Sequence, residues 1–464
     1  MFITLRKGES RYVEKFAGRH MDSVEQRVSG QLAVAISQAR LNTKLSAATD
    51  DPVQAWYPYY AGYSEEFARG IIKAAESVAD PMRILDPWNG SGTTTRAGHS
   101  LGHYVTGFDI NPVTLVIASA KLANPDDAKH VHGLALRFSN DATRVKSARS
   151  DPLRRWLPEA VVGKYRAIER QIIAELASDV TGHSIDPRHE VLPPLAAFLM
   201  LALIRAAKSL AAVKKSSNPT WQRPSGDIQR GWGKQLCELW TATLVGMAAD
   251  LERTVHAVGR GQSSALALAS SRKLPIVDGS IDLVVTSPPY CTRIDYFVGS
   301  AFELAALGIS EDDIEYRQLR ERAMGTNLSR SQDAATVPEA WPESVRTLLS
   351  SIRTHPSKAS GTYYLKTYAQ YFEDCLSSLK EIRRVLRIGG AAALVVQSSY
   401  YKDIYVDLPQ LYVSCGRSLG LVGSVTSSLT VTKALAQINT NSRKHKDEKL
   451  YEESVVVFEK PASV

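Results

Sequence analysis

Apolar positions along the chain change their rhythm several times, and each change predicts a different element. From about residue 80, short apolar runs alternate with turn-rich links and helix-period segments, the texture of a parallel sheet covered by helices. Arg83–Asp86 reads as a first strand and Tyr104–Asp109 as a second, with a glycine-rich turn and a helix over residues 93–101 between them. Over residues 123–261 long helical periods take over, at residues 158–178, 190–213 and 232–258. Strand texture resumes at Ser264–Leu268 and Ile281–Thr286, the second stopping at two prolines that cannot continue a central strand. Residues 291–360 are polar and turn-rich, which predicts loops and short helices.

Further on, Leu365, Tyr368, Phe372, Cys375, Leu379, Ile382 and Leu386 recur every three or four positions, the apolar stripe of one long helix. Gly389 and Gly390 are expected to end it. A strand at 391–397, a helix at 408–419 and strands at 421–431 and 454–459 follow, the last two able to close the sheet as a hairpin. The pattern predicts an α/β fold: a Rossmann-like sheet with helices on both faces, plus a helical insertion. It divides into an N-terminal segment (1–50), a first part of the sheet domain (51–122), the insertion (123–261) and a second part (262–464). In the first segment Leu32, Val34, Ile36 and Leu41 give weak helical patterning and no assignable chemistry.

At 464 residues, with 44% hydrophobic and 22% charged residues, the composition is that of a folded globular protein and argues against a mostly disordered or fibrous one. Lys plus Arg number 56 against 48 Asp plus Glu, a net charge of +8, mild support for a polyanionic partner. The four cysteines, Cys237, Cys291, Cys375 and Cys415, lie far apart, so no CxxC pair points to zinc or redox chemistry and no metal is expected. Residues 1–16 lack the continuous apolar segment of a secretory signal. The longest apolar run, residues 191–204, contains Pro193 and Pro194 and falls short of the ~20 residues that span a bilayer. A cytoplasmic protein without membrane contact is the expectation.

Two constellations carry chemistry. Between the first strand and its helix, Asp86-Pro87-Trp88-Asn89-Gly90-Ser91-Gly92-Thr93-Thr94 places two glycines two apart, which lets a ligand approach the backbone. The free N–H groups at the helix start and the hydroxyls of Ser91, Thr93 and Thr94 form an anion site, although a glycine pair alone is as often only a tight turn. The second strand ends at Asp109-Ile110-Asn111, where Asp109 is placed to hold ribose hydroxyls or, more plainly, to cap the next helix. The other constellation is Ser287-Pro288-Pro289-Tyr290, at the end of a buried strand. Prolines donate no hydrogen bond, so the Ser287 hydroxyl and Pro288 carbonyl can accept from an exocyclic amine while Tyr290 stacks on its base. By itself such a tetrapeptide is more often a turn.

Together these residues resemble the S-adenosylmethionine-dependent DNA amino-methyltransferases that modify cytosine N4 or adenine N6. The family's DPxxGSGTT loop matches Asp86 to Thr94, and its (Ser/Asp/Asn)-Pro-Pro-Tyr tetrapeptide matches Ser287 to Tyr290. Residues 57–67, including Tyr63, are similar to the family's segment before the cofactor loop and would wall the methionine end. The helix-turn-strand around Val385 to Gly390 and the strand near Glu453 to Lys460 are similar to its later sheet. The resemblance implies S-adenosyl-L-methionine as cofactor, double-stranded DNA with a flipped target base as substrate, and a cognate restriction nuclease or other defence partner. Serine as the first tetrapeptide residue is the form usual in cytosine-N4 enzymes, with adenine N6 as the alternative. RNA or protein glutamine as acceptor, or a subunit that binds without turnover, are the rival readings.

The chain departs from the family at Trp88, where phenylalanine is frequent, and at Ala269-Ser270-Ser271, where an acidic residue often contacts the cofactor's adenine. It also carries the helical insertion. There Lys214, Lys215, Trp221 and Arg223 interleave cations, small polar groups and an aromatic ring, a loop suited to phosphates and a base or equally to a solvated linker. Arg293 follows the tetrapeptide and could meet the target strand or pair with Asp295; Cys291 is expected to pack rather than react.

Overall fold

The structure, a computed structural model, describes residues 31–39, 51–57, 62–141, 146–178, 184–214, 221–225, 233–254, 263–291, 295–328, 330, 336–431 and 450–462. Its strands are β1 (Arg83–Asp86), β2 (Tyr104–Asp109), β3 (Ser264–Leu268), β4 (Ile281–Thr286), β5 (Leu386–Gln397), β6 (Ser399–Tyr401), β7 (Ile404–Val406), β8 (Val422–Val431) and β9 (Tyr451–Glu459). Seven of them form one sheet in the order β3-β2-β1-β4-β5-β9-β8, and β6 pairs with β7. β1 lies parallel to β2 and β4, β2 to β3, and β4 to β5, while β9 enters antiparallel between β5 and β8. The last two strands therefore do form a hairpin, with β9 on the inner side. This is the expected α/β class, a Rossmann-like sheet with helices on both faces.

Alternation along the central strands assigns each side chain to a face. Ile84, Val105, Leu283, Val285 and Ala393 pack with helices Gln31–Gln38 and Glu65–Glu76. Leu85, Phe108, Val284, Leu394 and Val456 pack against helices Leu365–Val385 and Leu408–Ser418. In Gln31–Gln38 the buried positions are Leu32 and Ile36, four apart, while Val34 is exposed; Leu41 lies outside the described residues.

Between β2 and β3 stand the long helices Glu159–Leu176, Pro194–Ser209 and Gly233–Arg253. They share one apolar core with the helix after β2, Pro112–Ala120, and with the short helices Tyr296–Gly299 and Ala301–Ala306 after β4. Pro194 opens its helix at a position where the missing N–H costs nothing, so residues 190–193 stay outside it. At the other end the helix stops at Ser209, and Val213 is extended, bridged to Pro224. No helix among the described residues is long and apolar enough to cross a membrane.

Gly389 and Gly390 play a different part from the one their sequence suggests. The long helix ends at Val385, and β5 begins at Leu386 and runs through both glycines. Gly389 has φ +70°. A Cβ on Gly390 would lie 2.9 Å from the Arg387 carbonyl oxygen and 3.1 and 3.2 Å from those of Ile281 and Asp282. The glycines let β5 approach β4 where their register shifts between Ile281 and Leu283.

Candidate active site

Strands β1, β2, β3 and β4 all end at the same edge of the sheet. From β1 the order runs outward to β2 and β3 on one side, and from β4 to β5 on the other, so the loops at this edge diverge and leave a crevice. A cleft open to solvent lies there. Tyr63, Asp86, Pro87, Trp88, Gly90, Ser91 and Thr93 line it from the glycine loop side, Asp109, Ile110 and Asn111 from the end of β2, and Ser287 and Pro289 from the end of β4.

Asp86 closes β1 and is buried. Its carboxylate accepts from Thr286 Oγ1 at 2.5 Å, from the Trp88 N–H at 3.1 Å and from the Tyr63 hydroxyl at 3.3 Å. Burial pushes its carboxyl up to about 6, against these bonds, which favour the ionised form. Thr94 donates to the Val285 carbonyl at 3.0 Å and therefore accepts from the Tyr63 hydroxyl, whose single proton is shared between Thr94 and the Asp86 carboxylate. The hydroxyl of fully buried Thr94 therefore ties β1, β4 and the glycine loop together beneath the cleft, away from the anion site expected of it.

The helix Thr93–Ser100 starts from Gly92 in the left-handed conformation, φ +82°, with no side chain capping it. Its first N–H groups thus remain available to a ligand. A side chain at Gly92 would strike the Ala118 Cβ at 2.7 Å, so the loop also sits close against the helix after β2. Asn89 is held from both sides: its N–H donates to the Phe108 carbonyl at 2.8 Å and its Oδ1 accepts from Thr95. That fixes Gly107 too, because a Cβ there would stand 2.4 Å from Asn89 Oδ1.

Asp109 serves the loop before any ligand. One carboxylate oxygen accepts the Gly90 N–H at 2.9 Å and the other the Asn111 N–H at 2.9 Å. It is Asn111 that caps the following helix, through Val113 N–H. The Thr114 hydroxyl and the Ile110 N–H bond to it as well, and the residue lines the cleft. Burial raises its carboxyl, opposed by the Asn111 and Gly90 N–H groups.

At the end of β4, the Ser287 hydroxyl donates to the Val395 carbonyl of β5 at 3.0 Å. With its one proton committed, Ser287 Oγ can only accept from anything in the cleft. Pro288 is buried and Tyr290 half-buried, and neither is among the residues that line the cleft. Cys291 is buried and packs in the core. Asp295 caps Tyr296–Gly299 and pairs with Arg320 at 2.5 Å. Arg293 lies outside the described residues.

Of the basic loop, Lys214, Trp221 and Arg223 are described and Lys215 is not. Lys214 N–H donates to the Arg223 carbonyl at 2.9 Å and Ser225 N–H to that of Ala212 at 2.9 Å, a short antiparallel ladder. The Arg223 guanidinium lies 5.1 Å from the Trp221 ring centroid. Gln222 donates through its backbone to the Val298 carbonyl at 3.3 Å and through Nε2 to that of Gly299 at 2.6 Å. The ladder is thereby fastened to the helix that follows the tetrapeptide, at some distance in sequence and with nothing in the local pattern to announce it.

The cleft also includes residues the motifs do not name. Asn89 sits inside the quoted loop, and Ala269, Ser270, Ser271 and Arg272 close the end of β3, where strand-end geometry alone would place lining residues. Tyr296, Phe297, Arg322 and Met324 come from helices and turns that only the tertiary fold brings there. Arg272 is anchored by Asp374 at 2.7 Å, which also takes Arg330 at 2.6 Å.

Comparison with known proteins adds relatives at low identity. The chain is 23% identical over 420 residues to the Type II methyltransferase M.AvaI of Nostoc sp., covering 84% of each. It is 22% identical over 296 residues to the Type II methyltransferase M.BsoBI of Geobacillus stearothermophilus, covering 59% of this chain and 56% of that one. It is 21% identical over 367 residues to the Type II methyltransferase M.MvaI of Kocuria varians, covering 74% and 76%. No family model matches the chain.

Proposed function

We propose that this protein transfers a methyl group from S-adenosyl-L-methionine to the exocyclic N4 amine of cytosine in double-stranded DNA. The observation that supports this most strongly is the Ser287 hydroxyl, donated to the Val395 carbonyl and so left as a pure acceptor on a cleft shared with the glycine loop. Three Type II methyltransferases among its relatives, two of them aligned over roughly three quarters or more of this chain, support methyl transfer to DNA.

The residues of the cleft fit the cofactor. Asp109 lines the cleft where ribose hydroxyls would bond, the uncapped start of Thr93–Ser100 suits a carboxylate, and Trp88, Ile110 and Phe297 offer apolar surface to a base. When bound, S-adenosyl-L-methionine supplies an electrophilic methyl group. The chain's own task is to prepare the amine, a poor nucleophile because its lone pair is delocalised into the ring. Ser287 Oγ and the Pro288 carbonyl would accept hydrogen bonds from its two N–H groups, favouring a localised lone pair, the Tyr290 ring would stack on the base, and one amine proton would be lost to water after the methyl group has been transferred. Rate then comes from positioning and electrostatics, with no covalent intermediate on the protein. The serine form of the tetrapeptide supports cytosine N4 over adenine N6. A base within a duplex has to be flipped out to reach this site, and Lys214, Trp221 and Arg223 would contact the flanking DNA.

Purified protein incubated with methyl-labelled S-adenosyl-L-methionine and DNA, RNA or protein tests this reading. Label is expected in DNA, and Ser287→Ala is expected to abolish it while cofactor binding by calorimetry persists. Label in RNA or protein alone would overturn the choice of acceptor.

A further inference from the structure

The Ser-Pro-Pro-Tyr turn contains one peptide unit whose orientation its own prolines do not fix. Pro288 and Pro289 have locked φ and lack N–H groups. The peptide joining Pro289 to Tyr290 is the first with both a carbonyl and an N–H and no proline after it, and rotation of its plane would turn the Pro289 carbonyl and the Tyr290 N–H and displace the backbone that carries the Tyr290 ring. Two tyrosines grip that single plane from opposite ends. The Tyr371 hydroxyl, from the long helix Leu365–Val385, donates to the Pro289 carbonyl at 3.1 Å. The Tyr290 N–H donates to the Tyr296 hydroxyl at 3.3 Å.

From these contacts we infer that Tyr371 and Tyr296 are positioning residues for methyl transfer, a clamp that holds the Pro289–Tyr290 peptide in the orientation the reaction needs. The inference rests on the function proposed above. It is reinforced from behind: Tyr371 has given its one proton to Pro289, so in its 3.1 Å contact with Tyr412 it must accept, and Tyr412 is the donor. Both phenols are fully buried, and burial holds each well above its ordinary value, so the donors keep their protons across the working pH range. The direction Tyr412 to Tyr371 to Pro289 is therefore fixed. Two helices on one face of the sheet, Leu365–Val385 and Leu408–Ser418, thus bear on the tetrapeptide at the sheet's edge. None of these tyrosines is required to touch the reacting atoms.

The test is steady-state methylation of a long unmethylated DNA by the full chain and its Tyr371→Phe, Tyr296→Phe and doubly substituted variants. Tyr165→Phe, which removes a buried phenol within the helical core, is the control. Each clamp variant is expected to lower kcat by about tenfold to a hundredfold, the scale of a small misplacement of reacting groups, with KM for both substrates unchanged. Because both hydroxyls hold one plane, the double variant is expected to lose little beyond the worse single variant. Unchanged kcat in both single variants, or an equal loss in Tyr165→Phe, would overturn the clamp. A wild-type protein that transfers no methyl group would instead overturn the function on which it rests.

Discussion

Asp86 shows how burial sets the chemistry of a single residue. Its carboxyl is pushed up to about 6, burial outweighing the bonds from Thr286 and Trp88. An aspartate in an unfolded chain titrates near 4. The folded protein therefore binds this proton more tightly than the unfolded chain does, so its contribution falls as pH rises from about 4 to about 6 and is level above that. Thermal unfolding of the wild type and of Asp86→Asn at several pH values isolates this group from the other buried carboxylates. The wild type is expected to fare better relative to the variant at pH 4.5 than at pH 7.5, and a difference that stays flat with pH would contradict the shift. Asp86, Asp109 and Ser287 were all legible in the sequence as residues of interest. Their first partners were not: Asp109 turns to the N–H groups of Gly90 and Asn111, and Ser287 to the Val395 carbonyl, because buried backbone groups must be satisfied wherever the fold leaves them.

Elements with a strong internal period were read best. Strands β1, β2, β3 and β4 stand where the alternation of apolar residues put them, and the stripe from Leu365 to Ile382 is one helix. Gly389 and Gly390 misled because a glycine pair after a helix looks the same whether it caps the helix or lets two strands approach, and only the carbonyls of Ile281 and Asp282 decide between these. The ladder that carries Lys214 and Arg223 was visible only as a basic stretch, since its fastening through Gln222 depends on carbonyls of residues 298 and 299. If that element meets DNA, Lys214→Ala with Arg223→Ala should weaken DNA binding and lower the steepness of its salt dependence by about one unit for each phosphate no longer neutralised. Calorimetry with S-adenosyl-L-methionine should be unchanged. Affinity and salt dependence both equal to those of the wild type would remove the ladder from the DNA interface.

For the molecule as a whole, sheet order and charge act on the same edge. Loops diverging at the edge of the sheet between β1 and β4 create the cleft, the glycine loop and the tetrapeptide arrive there from adjacent strands, and helices after β4 join it to the helical core. The net charge of +8 is compatible with a polyanionic substrate without identifying one. The most direct test of the whole account is mass spectrometry of nucleosides from the genomic DNA of cells producing the protein, beside cells producing Ser287→Ala. N4-methylcytosine in the first and its absence from the second is the predicted result; N6-methyladenine in its place, or no modified base at all, would contradict the account.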